Sequence, residues 1–225
     1  LVLFSDYSSG VKTQRDAWCY NHSHKELADN VQRMTGFYNA ERTRFNQVFA
    51  PGERKEREDN IDNFINTDPQ KISWTRALKQ DLVRNKSIHF GDKCIVKSVY
   101  RPFTRQWLYF NRRMNEMVYQ MPRLFPDAQA DNLVICFRGA GGLNDFMPLM
   151  VTNIPDLCVA DGRASQCFPL YVYPEQKVEK ADEGDDLLSG GAQAEPVRQH
   201  SITDEGLENF QAAYPGHSIS KDDIF

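Results

Sequence analysis

The stretch YRPFTRQWLYFNRR, residues 100–113, combines strand-forming aromatic residues with four arginines. Alternation along residues 105–110 predicts a strand with Arg105, Trp107 and Tyr109 on one face. The aromatic side chains favour packing in a core over stacking on bases, because proteins that read duplex DNA rarely stack bases. The arginines remain available for another role.

The positive charge of this stretch extends over residues 71–125, which hold twelve Lys and Arg against three Asp and Glu. The 225-residue chain has a net charge of −4, but residues 1–125 carry +7 and residues 126–225 carry −11. An asymmetry of this size predicts that the middle of the chain faces a polyanion. Three local acids cannot neutralise twelve bases, so a purely structural layer of ion pairs is the less favoured interpretation.

The residue types in the basic region suit contact with DNA. Arginine can contact guanine edges and phosphates with its planar fork, Asn and Gln suit adenine edges, and Lys supplies a flexible point charge. The clustering of Arg105, Arg112 and Arg113 predicts that at least one of them reads a base. The candidate DNA-binding residues are Lys12, Arg15, Lys71, Lys79, Lys86, Arg101, Arg105, Gln106, Asn111, Arg112, Arg113 and Arg123.

Composition narrows the class of protein. Hydrophobic residues make up 40% of the chain, which is ordinary globular usage. The longest apolar runs, 133–137 and 146–151, are far too short to span a membrane, and no signal peptide is recognisable. We expect a soluble intracellular chain with one large domain or two small ones.

No residue pattern predicts a metal site or a redox motif. The five cysteines are odd in number and include no C-x-x-C pair, so we expect buried or inert thiols. His22 and His24 lie two residues apart without a nearby Cys, which favours a solvated loop over a metal site.

No convincing catalytic set is present either. Residues 139–142, GAGG, follow a predicted strand, but a tight turn is favoured over a cofactor-binding loop. Asp156, Glu175 and Lys177 imitate the carboxylates and lysine of a metal-dependent nuclease, and this alternative stays open.

Capping and periodicity predict two long helices. Ser23 can cap a helix that runs to about residue 49, and Ser73 can cap a second one. Residues 2–20 are predicted to be extended, with a turn at residues 8–10 and a strand at residues 17–20. Residues 53–59 lack an apolar stripe and are interpreted as a loop or helix end. Strands are predicted at residues 87–90, 95–100, 105–110, 133–137, 146–151, 157–160 and 168–173.

These elements indicate an α+β fold, in which N-terminal helices precede a mostly antiparallel, multi-stranded β core. The predicted division places one domain at residues 1–174, with a helical part at about 23–86 and a β-rich part at about 87–174. An acidic flexible linker at residues 175–202 follows. Residues 203–225 are then predicted to be the start of a truncated C-terminal helical segment, in which Thr203 caps a short helix. The chain lacks an initiator Met and stops just after a helix cap at Ser220, so we expect both ends to be cuts within a longer protein.

Several sequence blocks in this order resemble the C-terminal specificity domain of Type ISP restriction–modification enzymes. The resemblance covers about residues 4–225. The blocks are residues 8–18, 71–74, 100–103, 105–110, 121–123 and 166–173.

The resemblance implies a non-catalytic domain that recognises a sequence in double-stranded DNA and positions it for an adjacent N6-adenine methyltransferase domain of the same polypeptide. It also implies a prokaryotic, cytoplasmic protein without a membrane partner. No cofactor is expected in this chain, whereas S-adenosylmethionine, ATP and Mg²⁺ are expected in other domains of the parent protein. A nuclease domain and a purely structural interdomain module remain the alternatives.

Overall fold

The computed structural model describes residues 2–52, 54–138, 147–160, 162–174 and 197–225. Its contacts divide the chain into two compact units. Unit 1 comprises Leu1–Val11, Lys97–Arg105 and Val118–Phe225, and unit 2 comprises Lys12–Val96 and Gln106–Met117. Each unit is therefore built from segments that are distant in sequence.

The described residues form an α+β fold with mostly antiparallel strand pairs, as predicted from the sequence. The helices are α1 Asp16–Cys19, α2 His24–Val48, α3 Arg54–Phe64, α4 Arg76–Val83, α5 Met121–Leu124, α6 Asp204–Ala213 and α7 Lys221–Ile224. The strands are β1 Ser8–Ser9, β2 Tyr20–Asn21, β3 Ile95–Arg101, β4 Thr104–Tyr109, β5 Val134–Arg138, β6 Leu149–Val151, β7 Ile154–Pro155, β8 Ser165–Pro169, β9 Tyr171–Val172 and β10 Gln199–His200. A single 3₁₀ turn, Asp92–Cys94, precedes β3. None of the described helices has the length and apolar character needed to cross a membrane.

Helix α2 forms the centre of unit 2 and confirms the predicted helix. The Ser23 side chain accepts a hydrogen bond from the Glu26 amide at 3.3 Å, which satisfies one of the free donors at the helix start. The apolar residues at helical spacing from Leu27 to Phe45 are buried, so this stripe faces the core.

Helix α3 contradicts the interpretation of residues 53–59 as a loop or helix end. The segment lacks an apolar stripe because a charged residue, Arg57, occupies the core position and is fully buried. Its guanidinium donates hydrogen bonds to the carbonyls of Phe49, Leu82 and Val83. These carbonyls lie at the C-terminal ends of α2 and α4, where helices leave acceptors unsatisfied. One arginine thus completes two other helices.

Two further local predictions in unit 2 were wrong. The predicted strand at residues 17–20 is mostly the short helix α1. The cap of α4 is Thr75, two residues after the predicted Ser73, and its hydroxyl accepts from the Leu78 amide at 3.2 Å. Both hydroxyl residues could cap a helix, and the buried Thr75 hydroxyl also accepts a hydrogen bond from the Arg15 side chain.

Unit 1 contains a four-stranded antiparallel sheet in the order β1-β8-β5-β6. Cys136 of β5 lies directly opposite Cys167 of β8, and both side chains are fully buried. Four of the five cysteines are buried and Cys158 is half-buried, and all five are free thiols. In unit 2, burial raises the pKa of Cys19 to about 12, against the electrostatic influence of Arg15, so this thiol is inert at neutral pH.

The turn predicted at residues 8–10 is instead a strand followed by a close backbone crossing. Ser8–Ser9 form β1, and the Val11 amide then donates to the Pro155 carbonyl at 2.9 Å. A Cβ placed on Gly10 would lie 2.2 Å from the carbonyl oxygen of Asp156. Gly10 is therefore present because only a residue without a side chain fits there.

The remaining strand predictions were confirmed in part. Strands β3, β4, β5, β6 and β8–β9 lie where apolar runs predicted them, whereas residues 87–90 and 157–160 form no strand. The GAGG sequence at residues 139–142 lies outside the described residues, as do positions 175–196 of the predicted linker. Residues 199–202 are ordered within unit 1, because β10 pairs with β9 and the Ser201 amide donates to the Leu170 carbonyl.

The C-terminal segment belongs to unit 1. The predicted caps Thr203 and Ser220 are confirmed, and Ser220 forms a capping box with Asp223. The Thr203 amide donates to the Leu3 carbonyl at 3.0 Å, and the Phe225 ring lies 6.3 Å from the Phe4 ring. The first and last described segments are thus in direct contact.

Candidate nucleic-acid interface

Strand β4 passes from a solvent-facing start to a fully buried end. Arg105 is exposed, Gln106 and Trp107 are half-buried, and Tyr109 and Phe110 are buried completely. The Tyr109 hydroxyl accepts a hydrogen bond from the Gly91 amide at 3.0 Å. The interpretation of these aromatic residues as core is therefore confirmed for Tyr109 and Phe110, and the polar start of the strand is the part available to a ligand.

Two of the candidate DNA-binding residues lie in the interior of unit 2. Arg15 is 3% exposed and donates to the carbonyl of Arg113 and to the hydroxyl of Thr75. Burial lowers the pKa of Arg15, and the electrostatic influence of Cys19 and Glu116 opposes this effect. Such a side chain stabilises the unit and is poorly placed to contact a ligand.

Asn111 is the second interior residue. Its side-chain oxygen accepts hydrogen bonds from the backbone amides of Arg113 and Met114, and its backbone amide donates to the side-chain oxygen of Asn115. These contacts hold the turn after β4 in shape. The hydrogen bonds also occupy the side-chain oxygen of Asn111, a residue type that was predicted to suit adenine edges.

Three candidate lysines lie near carboxylates. Two of these carboxylates, Asp62 and Asp68, lie outside residues 71–125. Lys79 donates to Asp62 at 2.6 Å, while Lys71 lies 3.9 Å from Asp68. Lys86 lies 4.0 Å from Asp81. Each lysine keeps at least a third of its side chain exposed, and pairs of this kind contribute little to stability. They can exchange a carboxylate for a phosphate at low cost.

Two candidate arginines of unit 1 form ion pairs with acids outside the basic region. Arg101 donates to the buried carboxylate of Asp156 at 2.6 Å and stacks on the Tyr100 ring. Arg123 pairs with Asp6. Both acidic partners lie more than fifty residues away in sequence, so a count of the acids within residues 71–125 does not include them.

The Asp156 carboxylate bears on the nuclease alternative. It accepts from Arg101 and from the Cys158 amide at 2.9 Å. In the described part of the chain, no group of three or more His, Cys, Asp or Glu is placed to hold a metal ion. Glu175 and Lys177, the other members of the proposed nuclease set, lie outside the described residues.

The other candidates face solvent to different degrees. Arg105 and Arg112 are exposed and Lys12 is half-buried, and none of the three side chains has a hydrogen-bond or ion-pair partner among the described residues. Arg113 donates to the Ser87 carbonyl, and Gln106 lies 3.4 Å from the ring of the exposed His22. Lys12, Arg105 and Arg112 are therefore the candidates most available to a phosphate or a base.

The candidate set omitted three cations that have the same character. Arg76, Arg84 and Lys93 are exposed, and their side chains have no partner within the described residues. All three were counted among the twelve Lys and Arg of residues 71–125. Charge alone does not distinguish these three residues from the predicted Lys79 and Lys86 in the same stretch.

Comparisons with known proteins identify relatives of this chain. A family model described as the Type ISP C-terminal specificity domain matches residues 2–225. A comparison with curated protein sequences gives no significant match.

Three solved structures share the fold. The DrdV–DNA complex has 33% identity and a TM-score of 0.76, covering 99% of this chain and 19% of that chain. A nuclease-deletion mutant of the Type ISP restriction–modification enzyme LlaGI, in complex with a DNA substrate mimic, has 30% identity and a TM-score of 0.75, covering 94% and 18%. The ATP-dependent Type ISP enzyme LlaBIII bound to DNA has 24% identity and a TM-score of 0.71, covering 98% and 12%, and is similar in fold. The chain thus spans less than a fifth of each of these proteins.

Proposed function

The chain belongs to the Type ISP C-terminal specificity domains, and from this membership we propose that it recognises the target sequence in double-stranded DNA on behalf of a longer restriction–modification polypeptide. The observation that carries the proposal is the family match over residues 2–225. The similarity to chains whose structures contain DNA or a DNA substrate mimic supports it.

The charges of the described residues agree with this role. Phosphate contacts supply most of the affinity of DNA-binding proteins and require accessible cations, while arginine forks near base edges supply specificity. Lys12, Arg105 and Arg112 have such accessible side chains, and the exposed lysine pairs can be rearranged. Arg15 and Asn111 are left out of the proposed contacts because their polar groups already hold the interior of unit 2 together.

We propose a division of labour with the rest of the polypeptide. This chain would contribute sequence choice and an adjacent methyltransferase domain would contribute the chemistry. S-adenosylmethionine, ATP and Mg²⁺ would bind to other domains, and the protein would work in the prokaryotic cytoplasm. The engagement of Asp156 by Arg101 disfavours the nuclease alternative.

The first experiment measures binding of the 225-residue chain to duplexes selected from a random pool, as a function of salt. With about five phosphate contacts, the slope of log affinity against log salt should be near −4 to −5. A triple variant, Lys12→Ala, Arg105→Ala and Arg112→Ala, should reduce the slope by about 3. The matched control removes three other exposed cations, Arg33, Arg54 and Lys55, and should change the slope far less.

The outcomes separate the alternatives. Enrichment of one sequence together with a steep salt slope supports recognition of DNA. A slope near zero would favour a structural module that binds protein. Cleavage of supercoiled plasmid with Mg²⁺ or Mn²⁺, abolished by Asp156→Ala, would establish the nuclease instead.

A further inference from the structure

Phe103 is the most exposed large apolar side chain in the described part of the chain, at 93%. It lies between β3 and β4, which are neighbouring strands joined by only Pro102 and Phe103. A two-residue connection makes this pair an antiparallel hairpin, so Phe103 stands at its tip. Single exposed apolar residues are common, but a fully exposed phenylalanine at a hairpin tip contributes nothing to a core.

The backbone at Phe103 is also unfavourable. Its φ is 61°, in the left-handed region that bulky residues rarely adopt. Proline followed by a residue with positive φ is typical of a type II turn, where Gly or Asn is the usual second residue. Glycine at this position would give the same turn without strain, so the phenyl ring is retained despite a cost to folding.

The hairpin is held firmly on its β3 side. The Ser98 hydroxyl donates to the Ile154 carbonyl at 2.6 Å, and the Asp156 amide donates to the Val99 carbonyl at 3.0 Å. Next to the tip, Arg101 is fixed by Asp156 and by the Tyr100 ring. The tip therefore projects Phe103 from a rigid support, which lowers the entropy lost when it binds.

Charge identifies the kind of partner. The hairpin carries Lys97, Arg101 and Arg105 and no acid of its own. Asp156 pairs with Arg101, whereas Arg105 is exposed and has no partner among the described residues. A contact surface for another protein would not require this excess of one sign, whereas a polyanion would. The combination of a bare aromatic ring with flanking cations matches the apolar wedges by which proteins partly unstack a base step while neighbouring cations hold phosphates.

We propose that the tip of the β3–β4 hairpin is a DNA-inserting element, in which Phe103 contacts base faces at a partly unstacked step and Arg105 neutralises an adjacent phosphate. This inference rests on the proposed function and deepens it, because it names one site and its mode of contact. It predicts that Phe103 contributes to affinity without contributing to the salt slope.

The test compares Phe103→Gly, Phe103→Leu and the control Tyr214→Ala, which removes another exposed aromatic ring, in the 225-residue chain. The probes are duplexes selected on the unaltered chain, with 2-aminopurine at successive positions. Phe103→Gly should bind about tenfold more weakly with an unchanged salt slope, because base–aromatic contacts of this kind contribute about 5- to 150-fold to affinity. Phe103→Leu, which keeps an apolar wedge, should lose less than Phe103→Gly, and Tyr214→Ala should bind normally.

Two further readouts separate this role from a structural one. The unaltered chain should raise 2-aminopurine fluorescence at one step, and Phe103→Gly should abolish the rise. The melting temperature of Phe103→Gly should equal or exceed that of the unaltered chain, because the glycine removes strain. If Phe103→Gly binds the duplexes as tightly as the unaltered chain, the inference is wrong while the proposed function stands. If the unaltered chain binds no duplex at all, both are wrong.

Discussion

Two regions of this molecule reverse the usual relation between polarity and burial. In unit 2 the charged Arg57 is completely buried, while in unit 1 the apolar Phe103 is 93% exposed. Around Arg57, four acceptors satisfy the guanidinium: three backbone carbonyls and the Asn46 side chain. Around Phe103 none of the described residues covers the ring, and the backbone φ of 61° is unfavourable for a bulky residue.

The completeness of a side chain's contacts separates residues that serve the fold from residues that serve the function. A buried cation is tolerated when its hydrogen bonds are complete, and Arg57 also lies over the Phe45 ring at 4.6 Å. Burial lowers the pKa of Arg57, yet arginine stays charged because its ordinary value is so high. The exposed, strained ring of Phe103 has no comparable set of contacts among the described residues, and for this reason we infer that it contacts a partner.

Removal of the buried Arg57 guanidinium should change stability more than any of the other substitutions below. Arg57→Ala should destabilise the chain by about 3 kcal/mol or more, because it leaves the carbonyls of Phe49 and Val83 without a donor at once. Chemical unfolding measures the change. Arg57→Lys should rescue only part of the loss, since an ammonium group cannot reproduce the guanidinium fork.

Its matched control lies on the same helix. Arg54 is exposed and forms an i,i+4 pair with Glu58. Arg54→Ala should change stability by less than about 0.5 kcal/mol. Equal losses for the two variants would mean that Arg57 is not the structural centre inferred from its contacts.

The next effect tests the support of the Phe103 hairpin. Gly10→Ala should destabilise the chain by about 2 kcal/mol, because the new methyl group would collide with the Asp156 backbone that anchors β3. Affinity for DNA should fall with it. Thermal unfolding and duplex titration on the same samples check both results.

Gly36→Ala is the control for this substitution. Gly36 lies on an exposed part of α2, and a Cβ there meets no atom within 4 Å. Alanine should stabilise the helix by about 0.5–1 kcal/mol. An unaltered melting temperature for Gly10→Ala would contradict the close crossing of the two backbones.

Removal of the exposed Arg105 or Arg112 should change stability much less than removal of the buried Arg57. Arg105→Ala and Arg112→Ala should leave stability within about 0.5 kcal/mol, because neither side chain has a partner among the described residues. Each should reduce the salt slope of DNA binding by about 1, and at least one of Arg105, Arg112 and Arg113 should relax one base position. Lys12→Ala should weaken all duplexes alike. If every arginine variant treats selected and scrambled duplexes equally, sequence is read elsewhere.

The smallest effect concerns a carboxylate near the core of unit 2. Burial by itself would raise the pKa of Glu41, but hydrogen bonds from Arg44 and from the Asn66 amide outweigh it and lower the pKa. Because the folded-state pKa is lowered, Glu41 contributes stability above about pH 4.3, the ordinary glutamate value, and the contribution is lost as the pH falls further. Glu41→Gln should therefore be less stable than the unaltered chain at pH 7, and the difference should shrink below pH 4. A difference that is independent of pH would contradict the ion pair.

Local patterns were enough to predict several elements. The cap at Ser23 and the apolar spacing behind it predicted α2, and apolar runs predicted β3, β4 and β5, because a cap or a strand pattern acts over a few residues. The ordered blocks of sequence identified the family, and the charge asymmetry agreed with a polyanion as ligand. The caps at Thr203 and Ser220 were predicted for the same local reason.

The candidate site was predicted less completely. Nothing near Lys79 or Arg123 in the sequence reveals that Asp62 and Asp6 lie against them. Nor does the turn-forming pair at residues 102–103 reveal how exposed its aromatic ring is. Such properties depend on which distant segments cover a side chain.

The α+β class, the family, the main capped helix and the basic middle of the chain could be predicted from the sequence, since each depends on composition or on neighbours a few residues apart. Three properties became clear only from the folded structure: residues 54–64 form a helix around a buried arginine, Arg15 and Asn111 are interior, and Phe103 is exposed. These properties depend on partners from distant parts of the chain. The carbonyls that accept from Arg57 lie 8 to 26 residues away, and a buried charge is stable only where folding brings all of them together.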